Sequence, residues 1–248
     1  MAAMQILKSG RPPGWEEPQL TAFFEILWAN TVATFAQKIE AHRLCRIDGL
    51  MFEIASGWKG GSPTAASIVP LMMYFRAHSA FRGACALGMG GATVEGMAVL
   101  RQCLEFAGYA ALVHDNPSLA QIWWDRDQTA QTEREARRSF THGAVQAAVQ
   151  KYDAQLASIY DELYDRTIQF GAHPNEKSIS ASLKLDVQQA ETQLLQIYLQ
   201  GDSPQLDHWL RTAGQIGICI LKVFAHIHNK RFADLGTMAK IDPLSQGL

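Results

Sequence analysis

The chain has 248 residues, of which 48% are apolar and 19% are charged, and its formal net charge is −2. This composition excludes a disordered chain, a disulfide-dense miniature protein and a polybasic tail protein. With so small a net charge, no overall field favours nucleic acid or an anionic membrane.

The four cysteines and the uncharged segments bear on compartment and metal content. No two cysteines form a C-x-x-C pair, so a zinc ribbon is not predicted, and scattered single cysteines are typical core residues. The N-terminal residues lack the apolar run of a secretory signal. The longest uncharged stretch, residues 60–75, contains two prolines and is shorter than the ~18 residues of a membrane span. We therefore expect a cytoplasmic protein.

The first half of the chain is predicted to be helical after an irregular arm over residues 1–18. Helical spacing of apolar residues begins at Leu20 and continues to about Ile54. Thr64 is a predicted N-cap for a second helix that ends near Gly88, and Pro70 is expected to end or kink its first turns. A third helix is predicted from Thr93 to about His114.

The second half continues the helical pattern. Asn116-Pro117 is a start signal, and polar residues dominate from there to Phe140. A fifth helix begins at Gly143 and ends at His173-Pro174, because the residue before a proline disfavours helical geometry. A sixth helix is predicted over Leu183–Leu199, and Ser203-Pro204 starts a seventh that runs to Ile227.

No run shows sustained alternation typical of strands, so no strands are predicted. The sequence therefore predicts an all-α fold, a single-domain bundle of six or seven helices. The bundle spans residues 19–231 and is followed by a C-terminal tail over 232–248.

The third predicted helix carries one isolated ion pair. Arg101 and Glu105 are the only formally charged residues between Gly96 and His114, and their spacing of four places them on one helix face. The other residues of that face are small or apolar: Val94, Ala98, Gly108 and Leu112. Because a buried charge needs a partner, the pair is either a structural anchor or a polar spot that contacts a ligand.

The end of the fifth predicted helix carries a second candidate site. Arg166 and His173 are seven residues apart, which is two helical turns, and Gln169 is a neighbour. A helix C-terminus stabilises a protonated histidine. An arginine that holds phosphate and a histidine that moves a proton satisfy the minimum for metal-independent RNA cleavage.

This arrangement resembles the Arg-x4–6-His motif of HEPN domains, helical bundles of which many are metal-independent ribonucleases that act as dimers. Residues 74–123 are similar to a family of uncharacterised bacterial helical proteins, in which an Arg-x-x-x-Glu helix precedes a Tyr…His-Pro segment. The matching positions are Arg101, Glu105, Tyr164, His173 and Pro174. The resemblance covers residues 65–200 and implies a HEPN-like bundle that forms a homodimer.

Other residue patterns are weaker evidence for a functional site. Arg137 and His142 form a second Arg-x4–6-His match, interpreted as part of a solvated basic stretch. His226 and His228 point to different helix faces, and no Glu-x-x-His motif is present, so no metal and no cofactor is expected. A ligand pocket lined by Met97, Leu104 and Phe170 is a smaller possibility.

Two functions remain open. In the first, a ribonuclease or nucleotide-binding protein uses Arg166 and His173 as catalytic residues, and Arg101, Glu105, Tyr164 and Gln169 contact and orient the RNA or nucleotide. A groove that exposes Arg166 and His173 beside Lys177 and Lys184 would favour it. In the second, a non-catalytic binding or regulatory bundle contains a buried Arg101–Glu105–His173 network. The near-neutral charge favours the second. A homodimer is expected in either case, with no membrane contact and an unknown partner protein.

Overall fold

The computed structural model describes residues 18–58, 64–174, 176–180, 182–188 and 191–248. Except for Pro18, the predicted N-terminal arm lies outside the described residues. The all-α prediction is confirmed as a class, because the described chain is mainly helical and contains one two-stranded sheet. Its twelve described helices exceed the six or seven predicted, because several predicted helices are divided.

The first half contains four long helices, which are α1 (Pro18–Gln37), α2 (Ile39–Ala55), α3 (Ala65–Gly88) and α4 (Thr93–Asp115). The single helix predicted from Leu20 to Ile54 is divided at Lys38, which has extended backbone angles. Its ammonium group pairs with Asp202 at 2.7 Å and Asp207 at 2.9 Å, which fixes this turn against a distant part of the chain.

The start of α3 follows the predicted signal. Thr64 caps the helix in a reciprocal capping box with Ser67. Pro70 does not end the helix, which continues through it to Gly88. Pro70 is buried, and its missing N–H leaves one intrahelical bond to the carbonyl of Ala66 unmade.

The middle of the chain forms four shorter helices, which are α5 (Leu119–Trp124), α6 (Ala130–Ser139), α7 (His142–Tyr152) and α8 (Ala154–Thr167). A π-helical turn, Ile168–Ala172, follows α8. The predicted fifth helix is thus divided at Asp153, whose backbone is extended. The Asp153 carboxylate accepts a hydrogen bond from the Leu156 N–H and so caps α8.

The predicted sixth helix is wrong. After the short α9 (Glu176–Ser180), residues Leu183–Gln188 form β1 and Glu191–Gln196 form β2, an antiparallel hairpin that pairs Leu183 with Gln196. In β1 apolar residues alternate with polar ones over six positions, which is strand periodicity. Leu, Gln and Glu favour helices, so residue propensity conflicted with this short alternation.

The C-terminal part contains α10 (Pro204–Ile227), α11 (Asn229–Asp234) and α12 (Thr237–Ser245). Ser203 caps α10 as predicted. The predicted tail over 232–248 is mostly helical, and its residues Ile241 and Leu244 are buried. Among the described helices, α10 alone has the length and apolar composition to cross a membrane, and 72% of that stretch is buried inside the protein.

The core forms where α10 packs across the α3–α4 pair. Trp209 of α10 is fully buried, and its indole lies directly against the backbones of Gly88 and Gly96. Of the four cysteines, Cys103 and Cys219 are buried, Cys85 is half-buried and Cys45 is exposed. Burial raises the pKa of the Cys219 thiol to about 12.

Candidate functional site

Arg101, Glu105 and Tyr164 come together between α4 and α8, as the sequence grouped them. Arg101 Nε donates to Glu105 Oε1 at 2.9 Å, and Arg101 Nη2 donates to the Tyr164 hydroxyl at 2.8 Å. The guanidinium carbon also lies 4.9 Å from the centroid of the Tyr164 ring, a cation–π contact. The pair is half-buried, with 21% of the Arg101 side chain and 35% of the Glu105 side chain exposed.

The surroundings of the Arg101–Glu105 pair keep the Arg101 side chain in its charged form. Burial by itself works to lower the pKa of Arg101, but the Glu105 carboxylate and the hydrogen bonds to Glu105 and Tyr164 outweigh it, so the pKa is raised. Burial raises the pKa of Tyr109, one turn along α4, and the Glu105 carboxylate adds to that rise. Arg101 therefore stays cationic, and the pair is electrically balanced.

His142 is the histidine that joins this group. Its ring stacks on the Tyr164 ring with centroids 4.2 Å apart, and its Nε2 lies 2.7 Å from Asp161 Oδ1. We call Arg101, Glu105, Tyr164, His142 and Asp161 the Tyr164 network. It connects α4, α7 and α8. The sequence analysis considered His142 only as the partner of Arg137 in a motif. In the structure Arg137 pairs with Glu133 on α6.

Arg166 faces α10 rather than the Tyr164 network. Its Nη1 donates to Gln215 Oε1 and to Thr212 Oγ1, and its Nη2 donates to Glu162 Oε1. Only 19% of its side chain is exposed. The guanidinium group is thus enclosed by partners from its own helix and from α10.

His173 lies beyond the end of the regular helix, so the predicted two-turn spacing from Arg166 does not describe the backbone between them. Gly171 departs from helical angles because the turn packs tightly on α4: a Cβ there would lie 2.2 Å from the Val94 carbonyl oxygen. His173 is extended and exposed, and its carbonyl accepts a hydrogen bond from Ser178 Oγ at 3.2 Å.

The structure does not assemble either of the two predicted arrangements in full. The Arg101–Glu105 pair belongs to the Tyr164 network, which contains His142, whereas His173 is exposed. Lys177 and Lys184 are exposed, as expected for residues beside the predicted groove of Arg166 and His173. Lys177 Nζ donates to the Gln169 side chain at 3.0 Å. Arg166 is turned toward α10, so it does not share an open groove with them.

A pocket of about 510 Å³ lies where the starts of α4 and α10 meet the π-helical turn and α9. Met97 and Phe170 line it as expected, whereas Leu104 is fully buried elsewhere in the core. His208 also lines it. Burial lowers the pKa of His208, and the neighbouring Arg166 adds to that effect. The volume is within the range of small-molecule sites.

The described residues contain no group of three or more His, Cys, Asp or Glu side chains placed to hold a metal ion. No protein-family model, curated protein or solved structure matches the chain. The fold and the site together define a helical bundle in which a half-buried polar network ties three helices together.

Removing the Tyr164 hydroxyl tests whether the network stabilises the fold. We expect Tyr164→Phe to lower the free energy of unfolding by about 1 kcal/mol, because the Arg101 Nη2 donor loses its acceptor. In a double-mutant cycle with Arg101→Met, we expect a coupling energy of about 0.5–1.5 kcal/mol in urea unfolding. Tyr198→Phe is the control, since Tyr198 is 65% exposed. Strictly additive effects at 101 and 164 would contradict a joint role.

Proposed function

We propose that this protein is a non-catalytic binding bundle, in which the Tyr164 network holds the helices in place and function lies in binding a macromolecular partner. The observation that carries the proposal is that the guanidinium groups of Arg101 and Arg166 are both engaged by internal partners. Arg166 is the cation that the sequence analysis assigned to phosphate, and Arg101 is one of the residues that it assigned to contact with the RNA or nucleotide.

The engagement of Arg166 has an energetic consequence. Contact with phosphate through both Nη atoms requires it to give up its bonds to Glu162 and Gln215. Hydrogen bonds to charged groups contribute about 1.5–3 kcal/mol each, so the exchange is costly. The formal net charge of −2 provides no compensating attraction for a polyanion. Both facts support a structural role for the residue.

A HEPN-like, metal-independent ribonuclease or nucleotide-binding protein is the second candidate. The exposure of His173 favours it, together with the exposed Lys177 four residues further along the chain. In this candidate His173 exchanges the proton and Arg166 turns from Glu162 to phosphate. Tyr164, Glu105, Arg101 and Gln169 position the RNA or nucleotide.

RNA cleavage with EDTA present separates the two candidates. We incubate a fluorescent RNA pool with the wild type, with His173→Ala and with Glu162→Gln, which releases Arg166 from its ion pair. The proposal predicts no cleavage by any of the three. It also predicts that His173→Ala changes the free energy of unfolding by less than about 0.5 kcal/mol, because the side chain is exposed.

RNA cleavage by the wild type would contradict the proposal. Cleavage by the wild type that disappears in a stably folded His173→Ala variant would establish the ribonuclease. Cleavage that also increases in Glu162→Gln would assign phosphate binding to Arg166.

A further inference from the structure

Helix α1 is apolar around its circumference, yet most of it is exposed. Its 20 residues include one formal charge, Glu25. Large apolar side chains are 44–67% exposed on several of its sides and at the start of α2: Leu20, Phe24, Ile26, Trp28, Val32, Phe35 and Ile39. A helix that is hydrophobic on all sides is normally buried. This helix therefore has the composition of an element that is covered by something else.

Polar contacts hold α1 on the bundle along one side. Thr34 Oγ1 donates to the Met89 carbonyl at 2.9 Å, and Asn30 Nδ2 donates to the Gly90 carbonyl at 3.2 Å. Lys38, just after the helix, pairs with Asp202 and Asp207. These contacts fix the C-terminal half of α1 and leave its apolar side chains facing outward.

The exposed face continues onto α2. The Phe35 ring lies 4.4 Å from the His42 ring, and Gly49 and Phe52 follow on the same outward side of α2. A Cβ at Gly49 would meet nothing within 4 Å. Glycine inside a helix costs about 0.5–1 kcal/mol relative to alanine, so its presence on an open face fits close approach by another backbone.

We infer that this chain forms a two-fold symmetric homodimer through the apolar face, defined as the exposed side chains named above except Ile26, which lies on another side of α1, together with Gly49 and Phe52. The inference names the partner in the binding function proposed above and rests on it. A second copy of the chain is the occupant because the face suits self-pairing in both area and charge.

The area is sufficient for a stable dimer. Six large side chains of this face, three of them aromatic, are 44–67% exposed. With Phe52, which is 57% exposed, the face approaches the ~800 Å² per partner of a standard interface.

The charge pattern also fits a second copy. A two-fold interface places a patch against itself, so an unpaired charge near its centre meets a like charge. Beside Phe52, Arg82 binds Asp48 through Nε at 2.6 Å and Nη2 at 3.0 Å, so these two charges cancel locally. Glu25 is the one formal charge on α1. A strongly charged partner would find little to complement here.

Sedimentation velocity and light scattering between about 1 and 100 µM test the inference in the micromolar range of affinities. We expect the wild type to have twice the 27.4 kDa mass of one chain. The double variant Trp28→Glu/Val32→Glu should be monomeric, with dimer affinity reduced at least about 100-fold, because it sets carboxylates opposite their own copies. Leu194→Glu is the control, since Leu194 is 63% exposed on the hairpin and should leave the dimer intact.

Gly49→Ala tests the close approach without adding charge. We expect it to weaken the dimer by about tenfold or more, while the monomer becomes slightly more stable through better helix propensity. Gly143→Ala is the matched control, because Gly143 is also helical with open space around it. It should not change the dimer.

A wild type that stays monomeric over this range would overturn the inference, as would a dimer that survives Trp28→Glu/Val32→Glu. The RNA assay is independent of these results. A monomer that does not cleave RNA removes only the homodimer, whereas a dimer whose RNA cleavage depends on His173 removes the non-catalytic function.

Discussion

Replacing Gly88 with alanine is expected to lower the free energy of unfolding by about 3 kcal/mol, because an added methyl group has no room there. An alanine Cβ would lie 2.0–2.4 Å from three carbon atoms of the Trp209 indole. Trp209 is fully buried, and Gly96, which is adjacent to Gly88, also lies against its indole. The ring therefore cannot move away without opening the contact between α10 and the α3–α4 pair.

Gly83→Ala on the same helix is the matched control. A Cβ at Gly83 would have its nearest neighbour, Val99 Cγ1, at an ordinary 3.7 Å. We expect this variant to be neutral or more stable by up to about 1 kcal/mol, the gain in helix propensity. Urea unfolding of both variants gives the comparison. Equal free energies of unfolding for the two would show that the glycine–tryptophan contact does not constrain the core.

A second large effect is expected from pH. Burial lowers the pKa of His228 to about 4, the charge of His114 adds to the decrease, and a hydrogen bond to the Pro70 backbone opposes it. The ring packs at 82° to the Trp58 ring and stacks on the Phe224 ring. Between pH 4 and 6.5 the unfolded chain thus binds a proton at this histidine that the folded chain does not. The free energy of unfolding should fall by about 2–3 kcal/mol as the pH is lowered through this window.

Urea unfolding at pH 7, 5.5 and 4 measures this slope. His228→Gln should remove most of it, whereas His173→Gln, at an exposed position, should retain it. The titration of Asp48 does not overlap with that of His228. Burial works to raise its pKa, but hydrogen bonds from His78 and Arg82 outweigh burial and lower the pKa to about 2. The stability it contributes is lost between about pH 4 and 2, below the His228 window. An unchanged slope in His228→Gln would place the pH sensitivity at another group.

The sequence predicted those elements whose signals are local. Thr64 and Ser203 mark the starts of α3 and α10 because a capping side chain acts within its own first turn. The break at Lys38 was not predicted, and the residues that pair with its side chain, Asp202 and Asp207, are remote in the chain. The hairpin was missed because six alternating residues compete poorly with the helix propensity of their side chains.

In the candidate site, too, contacts within one helix could be predicted from the sequence, and contacts between helices could not. Arg101 and Glu105 are on one helix, so their pairing follows from spacing alone. The rings of His142 and Tyr164 stack although the two residues are on different helices, and helical periodicity cannot predict such a contact. The separation of Arg166 from His173 depends on Gly171, where the chain leaves helical geometry to pack against the Val94 carbonyl.

The uneven burial of the four thiols gives the protein a natural labelling site. Cys45 is exposed on α2, between His42 and Gly49, while Cys85 is half-buried and the other two are fully enclosed. Burial raises the pKa of all four thiols, and Cys103 and Cys219, which are also fully enclosed, stay protonated and unreactive. A maleimide probe therefore attaches most readily at position 45 of the separated chain, and association through the apolar face, which includes the neighbouring Gly49, should slow its attachment.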